Sequence, residues 1–370
     1  MIPFRFRCER CGASFAGNTP VWCCPECGGL LGIECSPAWK PGSRGFSDTG
    51  PWQYSSAIPG IVGSTPISLG EPTTPVLPIE IDKKRFRVKM EHLFPTGSYK
   101  DRGASVLVSW LHALGIPQVV EDSSGNAGTS IAAYCARASI NCTIFTPCST
   151  SPSKLRQVEA VGARLEKVDG TREDTSRKTL QVARTVFYAS HSWHPLFFQG
   201  VKTFAYELYD QCSAVLPDTV VLPVGNGTLF LGAFLGFWEL VEAGWAHRIP
   251  RMVAVQAKNC APLRRAFEKG LFEPQPVQPK ATLAEGIAIS TPVRGHQVLR
   301  AVEQSGGEVL EVSEEEILRV HERFTSMGFF MEPTSAAGIA GTLAYMDQNP
   351  GENVVTAITG HGLKTIGKSS

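Results

Sequence analysis

From about residue 76 onward the sequence predicts an α/β architecture with open, mainly parallel twisted sheets, preceded by a small cysteine-bearing module. Three observations carry that expectation. Short apolar runs alternate with segments of helical pattern. Turns rich in Gly, with Ser in the first and Asn and Thr in the second, stand after a predicted strand at 122–128 and 223–228. Five of the eleven cysteines crowd into residues 8–27.

Residues 1–35 form the expected module. Cys8 and Cys11 make one Cys-x-x-Cys knuckle, Cys24 and Cys27 a second, and Gly12 and Gly28 follow them. Each knuckle places two thiolates on one side of a tight loop, and two knuckles facing each other give a tetrahedral sulfur site suited to structural Zn²⁺. So short a segment has little core, so metal binding would supply much of its folding energy. A cysteine-rich strand pair with reduced thiols is the plainer alternative. Residues 36–75 are rich in Pro, Gly and Ser and read as a linker and entry segment.

Beyond it, Phe86–Met90 is expected as a strand, Val106–Leu114 as a helix and Gln118–Val120 as a strand. A helix over Thr129–Ala138 and a strand at Thr143–Phe145 follow, with later strands at Thr219–Leu222, Met252–Gln256 and Val354–Ile358. With 43% hydrophobic residues the chain can bury a sizeable core. Its 35 basic and 34 acidic side chains balance, which argues against attraction to nucleic acid or an anionic membrane. No apolar run reaches the roughly 18 residues of a membrane span. Met1–Arg7 has no signal-like apolar core, so a cytoplasmic protein acting on a small molecule is expected.

Four segments carry chemistry. In Pro95-Thr96-Gly97-Ser98-Tyr99-Lys100-Asp101-Arg102-Gly103, a lysine stands where a turn enters a helix. Desolvation there lowers an amine's pKa and leaves it nucleophilic toward a carbonyl cofactor. Asp101 and Arg102 belong to the helix's first turn. In Asp122-Ser123-Ser124-Gly125-Asn126-Ala127-Gly128, hydroxyls and the N–H groups of a helix start can bind a carboxylate; ordinary capping is the alternative. In Pro223-Val224-Gly225-Asn226-Gly227-Thr228, two glycines let backbone amides approach a phosphate, and Thr228 adds a donor. At the end of the last strand, Thr359 offers a hydroxyl that can face a ligand.

With these residues, the chain resembles the threonine synthase family of pyridoxal 5′-phosphate (PLP) enzymes over roughly residues 65–365. Pro95–Gly103 looks like that family's lysine motif and Ser123-Ser124-Gly125-Asn126 like its substrate-carboxylate loop. Glu332-Pro333-Thr334-Ser335-Ala336, Thr359–Lys364 and Gly70–Pro75 look like its other motifs. The resemblance implies a two-lobed fold-type II enzyme with a large lobe at 76–100 and 191–365, a small lobe at 101–190, a tail at 366–370, and a homodimer. It further implies that Lys100 holds PLP as a Schiff base and then moves protons, with Tyr99 beside the ring. Asn126 would contact the 3′-oxygen, Gly225, Asn226, Gly227 and Thr228 the phosphate, and Thr359 the ring nitrogen. Ser123, Ser124, Gly125 and Ala127 would take the substrate.

The chain departs from the family in two places. Ala127 stands where Thr is usual. The stretch that grips the substrate phosphate in the family corresponds to Ser190-His191-Ser192-Trp193-His194-Pro195-Leu196-Phe197-Phe198-Gln199-Gly200-Val201-Lys202-Thr203, with Phe197 where the family has Arg. An aromatic ring cannot replace the charge-assisted contact to a dianion. His191, Ser192, His194 and Phe197 are therefore candidates for reading the substrate's distal group, and the two histidines are equally readable as solvated or core residues. The reaction expected from the family is conversion of O-phosphohomoserine to threonine and phosphate. The alternatives are β-elimination or β-replacement, as in a serine/threonine ammonia-lyase, and a non-catalytic zinc-ribbon binding protein. Arg5, Arg7 and Arg10 are too few to make that ribbon a nucleic-acid site.

Overall fold

The computed structural model describes residues 1–365 except positions 38, 44, 124 and 151, so Ser124 and the expected 366–370 tail lie outside it. Strands β1 (Arg5–Cys8), β2 (Ser14–Ala16), β3 (Leu31–Glu34), β4 (Val76–Ile81) and β5 (Lys84–Lys89) precede helix α1 (Lys100–Ala113). Then come β6 (Gln118–Glu121), α2 (Asn126–Arg137), β7 (Asn141–Pro147), α3 (Pro152–Ala160), β8 (Arg164–Val168), α4 (Arg172–Val182) and β9 (Phe187–Tyr188). Helices α5 (Pro195–Val201) and α6 (Thr203–Gln211) lead to β10 (Thr219–Pro223), α7 (Thr228–Glu242), β11 (Arg251–Ala257) and α8 (Pro262–Glu268). The last elements are α9 (Gly295–Gln304), β12 (Val309–Val312), α10 (Glu314–Ser326), α11 (Pro333–Gln348) and β13 (Val354–Ala357). The α/β expectation holds, and each expected strand and helix overlaps an observed one, the largest difference being α1, which starts six residues before the expected Val106.

The chain divides into two compact units. The first contains Met1–Thr73 and Phe94–Val201. Its main sheet, ordered β8-β7-β6-β9, is wholly parallel. A second, antiparallel sheet, β2-β1-β3, carries the cysteine module. In β1, Phe6 and Cys8 point inward while Arg5 and Arg7 face water, the period of two expected of a strand with one covered face. The module does not stand apart: Phe6 packs on Trp110, the Trp110 indole donates to Gly17 O at 2.7 Å, and that of Trp22 to Ala183 O at 3.3 Å. Part of the expected 36–75 linker is core as well, with Trp52, Tyr54, Ala57 and Ile58 buried.

The second unit contains Thr74–Leu93 and the described chain from Lys202 onward. Its sheet runs β12-β11-β10-β13-β5-β4, parallel except for the antiparallel edge strand β4. Every residue of β10 is buried, which is why this strand reads as an unbroken apolar run rather than an alternating one.

These boundaries differ from the expected lobes, because 94–100 and 191–201 group with 101–190. Close packing accounts for the difference. A Cβ on Gly103 would lie 2.2 Å from the Phe197 ring, and one on Gly200 2.0 Å from the Arg102 carbonyl oxygen, so the two glycines let α1 and α5 touch backbone to side chain. The Arg102 guanidinium also lies 4.8 Å from the Phe94 ring centroid.

Candidate active site

In the first unit, Lys100 is the first residue of α1, six positions earlier than the helical pattern suggested. Asp101 fixes this turn. Its buried carboxylate accepts from the Thr96 N–H at 2.8 Å, the Thr96 hydroxyl at 2.5 Å and the Ser130 hydroxyl at 2.6 Å, joining the lysine turn to α2. The Lys100 ammonium lies 4.7 Å from the Tyr99 ring centroid and 5.7 Å from that of Phe197. Some of its side chain reaches solvent, but the dense protein around the amine desolvates it. That burial pushes its pKa from 10.5 down to about 7; Glu121 opposes the shift and Arg172 adds to it.

Glu121 ends β6 and is fully buried. Its Oε1 lies 2.5 Å from His191 Nδ1, and its Oε2 has no hydrogen-bond partner among the described residues. The His191 ring packs edge-on to Phe197, 6.1 Å between centroids. Burial, with the neighbouring Asp122 charge, holds the Glu121 carboxyl well above the usual range. Burial, with the Lys100 and Arg172 charges, holds the His191 imidazole well below its own. Asp122 accepts from the Tyr188 hydroxyl at 2.5 Å, and Arg172, at the start of α4, donates to the Asp122 carbonyl at 3.4 Å.

The loop after β6 turns into α2 through Ser123, whose hydroxyl accepts from the Gly125 N–H at 3.3 Å. Gly128 must be glycine, since a Cβ there would lie 2.0 Å from the Ser123 carbonyl oxygen. Asn126 is the first residue of α2, half-buried, and Ala127 is buried beside it. Ser192 is buried with its hydroxyl 3.2 Å from that of Ser190. His194 goes elsewhere: it is fully buried against Phe6, Trp110 and Phe187, a core position that corrects its reading as a substrate contact. Lys100, His191 and Phe197 are thus brought together. Glu121 and Arg172 join them unforeseen, beside Asp122 of the predicted loop; the acidic Glu121 ending β6 was the sequence signal for the first, and Arg172 had none.

In the second unit, Gly225, Asn226 and Gly227 connect β10 to the 15-residue helix α7, with Gly227 in the left-handed region at φ 78°. A Cβ on Gly225 would lie 2.9 Å from Ile287 Cα. Thr228 opens α7 with a buried hydroxyl that has no partner among the described residues, so a donor is held ready at a helix N-terminus. Thr359 is buried just after β13, its hydroxyl 3.1 Å from that of Ser335 and its N–H donating to Ser335 Oγ at 2.9 Å.

The four module cysteines converge with their sulfur atoms all within 4.8 Å of one another. Cys8 Sγ accepts from the N–H groups of Arg10 and Cys11 at 3.4 and 3.5 Å, and Gly12 and Gly28 take positive φ as the knuckles require. Cys23 is not among the four.

A desolvated lysine at one helix start, a Ser- and Gly-bearing loop at a second and a glycine loop at a third, on mainly parallel α/β sheets, point to a class. The chain belongs to the pyridoxal-phosphate dependent enzymes, whose family model matches residues 67–360. It is 33% identical to the threonine synthase of Methanocaldococcus jannaschii over 97% of this chain and 92% of that protein. It is 31% identical to the threonine synthase of Methanosarcina acetivorans over 98% and 92% respectively. Among solved structures, maize serine racemase superposes with a TM-score of 0.68 at 21% identity, over 78% of this chain and 88% of that one, a likeness of fold.

Proposed function

We propose that this chain is a PLP-dependent lyase of the threonine synthase kind, which converts O-phosphohomoserine to threonine and phosphate with its cofactor attached at Lys100. The near full-length match to threonine synthases carries the reading. The residues fit the cofactor: the orphaned Thr228 hydroxyl at the start of α7 offers a phosphate donor, and the Lys100 amine has a pKa of about 7. Gly225, Asn226, Gly227 and Thr228 would hold the phosphate, Asn126 the 3′-oxygen and Thr359 the ring nitrogen, while Ser123, Gly125 and Ala127 would receive the substrate carboxylate. When bound, PLP supplies an electron sink that makes protons near the amino-acid α-carbon removable.

The chain's own residues do the rest. Lys100, neutral for much of the time near pH 7, can take a proton from carbon and return it. Thr359 offers a neutral hydroxyl, which does not lock a proton onto the ring nitrogen as a carboxylate would. Tyr99 and Phe197 flank the amine with apolar surface and limit its hydration. Phosphate and threonine formed from O-phosphohomoserine by the purified, PLP-loaded protein would establish the reaction; no phosphate release at high enzyme would remove it.

One observation favours a second reading, β-elimination from serine or threonine. Phe197 is fully buried beside Lys100, at the place where the family resemblance expects a phosphate-binding Arg. Keto-acid formation from serine or threonine without turnover of O-phosphohomoserine would select it.

The cysteine module is proposed to hold structural Zn²⁺ through Cys8, Cys11, Cys24 and Cys27, on the strength of their converging sulfurs. About one zinc per chain should be found by elemental analysis, and Cys11→Ser should lower that content and the melting temperature together. A homodimer in the cytoplasm completes the reading; sedimentation tests its size.

A further inference from the structure

Beside Lys100 the substrate's distal group meets no arginine at position 197, yet the surroundings are rich in protons. The Phe197 ring centroid lies 5.7 Å from the Lys100 ammonium and 6.1 Å from that of the His191 ring. Behind His191 stands Glu121, fully buried, with one oxygen 2.5 Å from Nδ1 and the other without a partner among the described residues. We propose that His191 is the proton donor to the substrate's departing oxygen, with Glu121 positioning and recharging it, so that a proton performs the task that a fixed cation would perform at position 197.

The pairing makes this chemically sound. A carboxylic acid against a neutral imidazole and a carboxylate against an imidazolium hold the same number of protons and the same zero net charge. Burial disfavours the separated charges in both partners, so the shared proton sits where either partner can yield it. In the step, the bond between substrate carbon and its oxygen-linked group breaks with the electron pair on oxygen. His191 Nε2–H gives its proton to that oxygen, and the Glu121 carboxyl proton passes to Nδ1. The pair is left with one negative charge on Glu121, which the neighbouring Arg172 charge favours, and water restores the proton after release. Among the described residues, Asp122, Cys135, Cys142 and Tyr188 are further titratable groups facing the pair. The substrate class this selects is an amino acid whose oxygen-linked group takes up one proton as it leaves, a phosphate departing as the hydrogenphosphate dianion or a hydroxyl departing as water.

The inference rests on the reading of Lys100 as the cofactor lysine, and its test separates the two. In the cofactor-free protein, proton NMR should show a far-downfield imidazole resonance from the short bond, absent from Glu121→Gln and His191→Asn. In the PLP-loaded protein, both variants should lose about 100-fold or more in kcat with O-phosphohomoserine. Both should fall far less with the γ-chloro analogue, because chloride leaves without a proton. Retained visible absorbance of bound PLP shows that the variants are folded. A missing downfield resonance overturns the proposal whatever the substrate, and so does equal loss with oxygen and chloride leaving groups. If the wild type is inert toward O-phosphohomoserine, the threonine synthase reading falls, and serine against β-chloroalanine applies the same criterion. Inertness toward both pairs overturns both readings.

Discussion

Lys89 and Lys100 are close in sequence and both drawn into the protein, but they are treated in opposite ways. Lys89, on β5 of the second unit, is fully buried and fully answered: its ammonium lies 2.7 Å from the buried Glu207 carboxylate, 2.8 Å from Gln211 Oε1 and 3.1 Å from the Thr74 carbonyl. Lys100, on α1 of the first unit, keeps some solvent exposure, yet no carboxylate lies within ion-pair distance among the described residues, and aromatic rings flank it. A buried charge with its counter-charge in place is an element of structure. A desolvated amine without one has lost its hold on a proton and is available for chemistry.

The sharpest break of that comparison is Lys100→Ala. It should abolish measurable turnover without lowering the melting temperature, as enzyme assay and thermal melts would show. A variant with normal turnover would refute the role proposed for Lys100. The reverse pattern is expected at Lys89. Lys89→Met strands the Glu207 carboxylate in the core and should cost about 3–5 kcal/mol in a denaturant melt. Adding Glu207→Leu should recover most of that loss, because a buried ion pair replaced whole is close to neutral.

A smaller effect sharpens the contrast through pH. The folded-state pKa of Lys100, about 7, lies below its ordinary 10.5, so between these values the unfolded chain binds more protons than the folded one. The penalty for burying the amine is complete below about pH 7 and fades as pH rises toward the ordinary lysine value. Melts of cofactor-free wild type and Lys100→Met at about pH 6 and about pH 9 should show the variant's stability advantage shrinking with pH. An advantage that stays constant would contradict the lowered pKa.

Much of this site was legible because its signals are local. Cys-x-x-Cys spacing, Gly-flanked turns and a lysine ahead of an apolar helix all follow from chain geometry over a few residues, and each forms where expected. The Glu121–His191 pair was not legible, because its partners are separated by 70 positions and meet only when β6 pairs with β9. His194 shows the same limit from the other side. It looked like its neighbour His191, but Phe6 of the cysteine module and Trp110 of α1 enclose it in the core. The expected 36–75 linker misled for a similar reason: Pro and Gly mark irregular backbone, and irregular backbone can be buried when Trp52 and Tyr54 anchor it.

By itself the sequence determined the alternation of strands and helices, the four converging thiols and the place of Lys100 at a helix start. These depend on hydrophobic period, turn chemistry and short spacing, which act within a few residues. Tertiary structure alone decided which charges are answered. The ion pair on Lys89, the desolvation of Lys100, the contact between Glu121 and His191 and the Phe197 ring seated on Gly103 depend on distances between residues far apart in the chain. Electrostatic and packing energies follow those distances and not the order of residues.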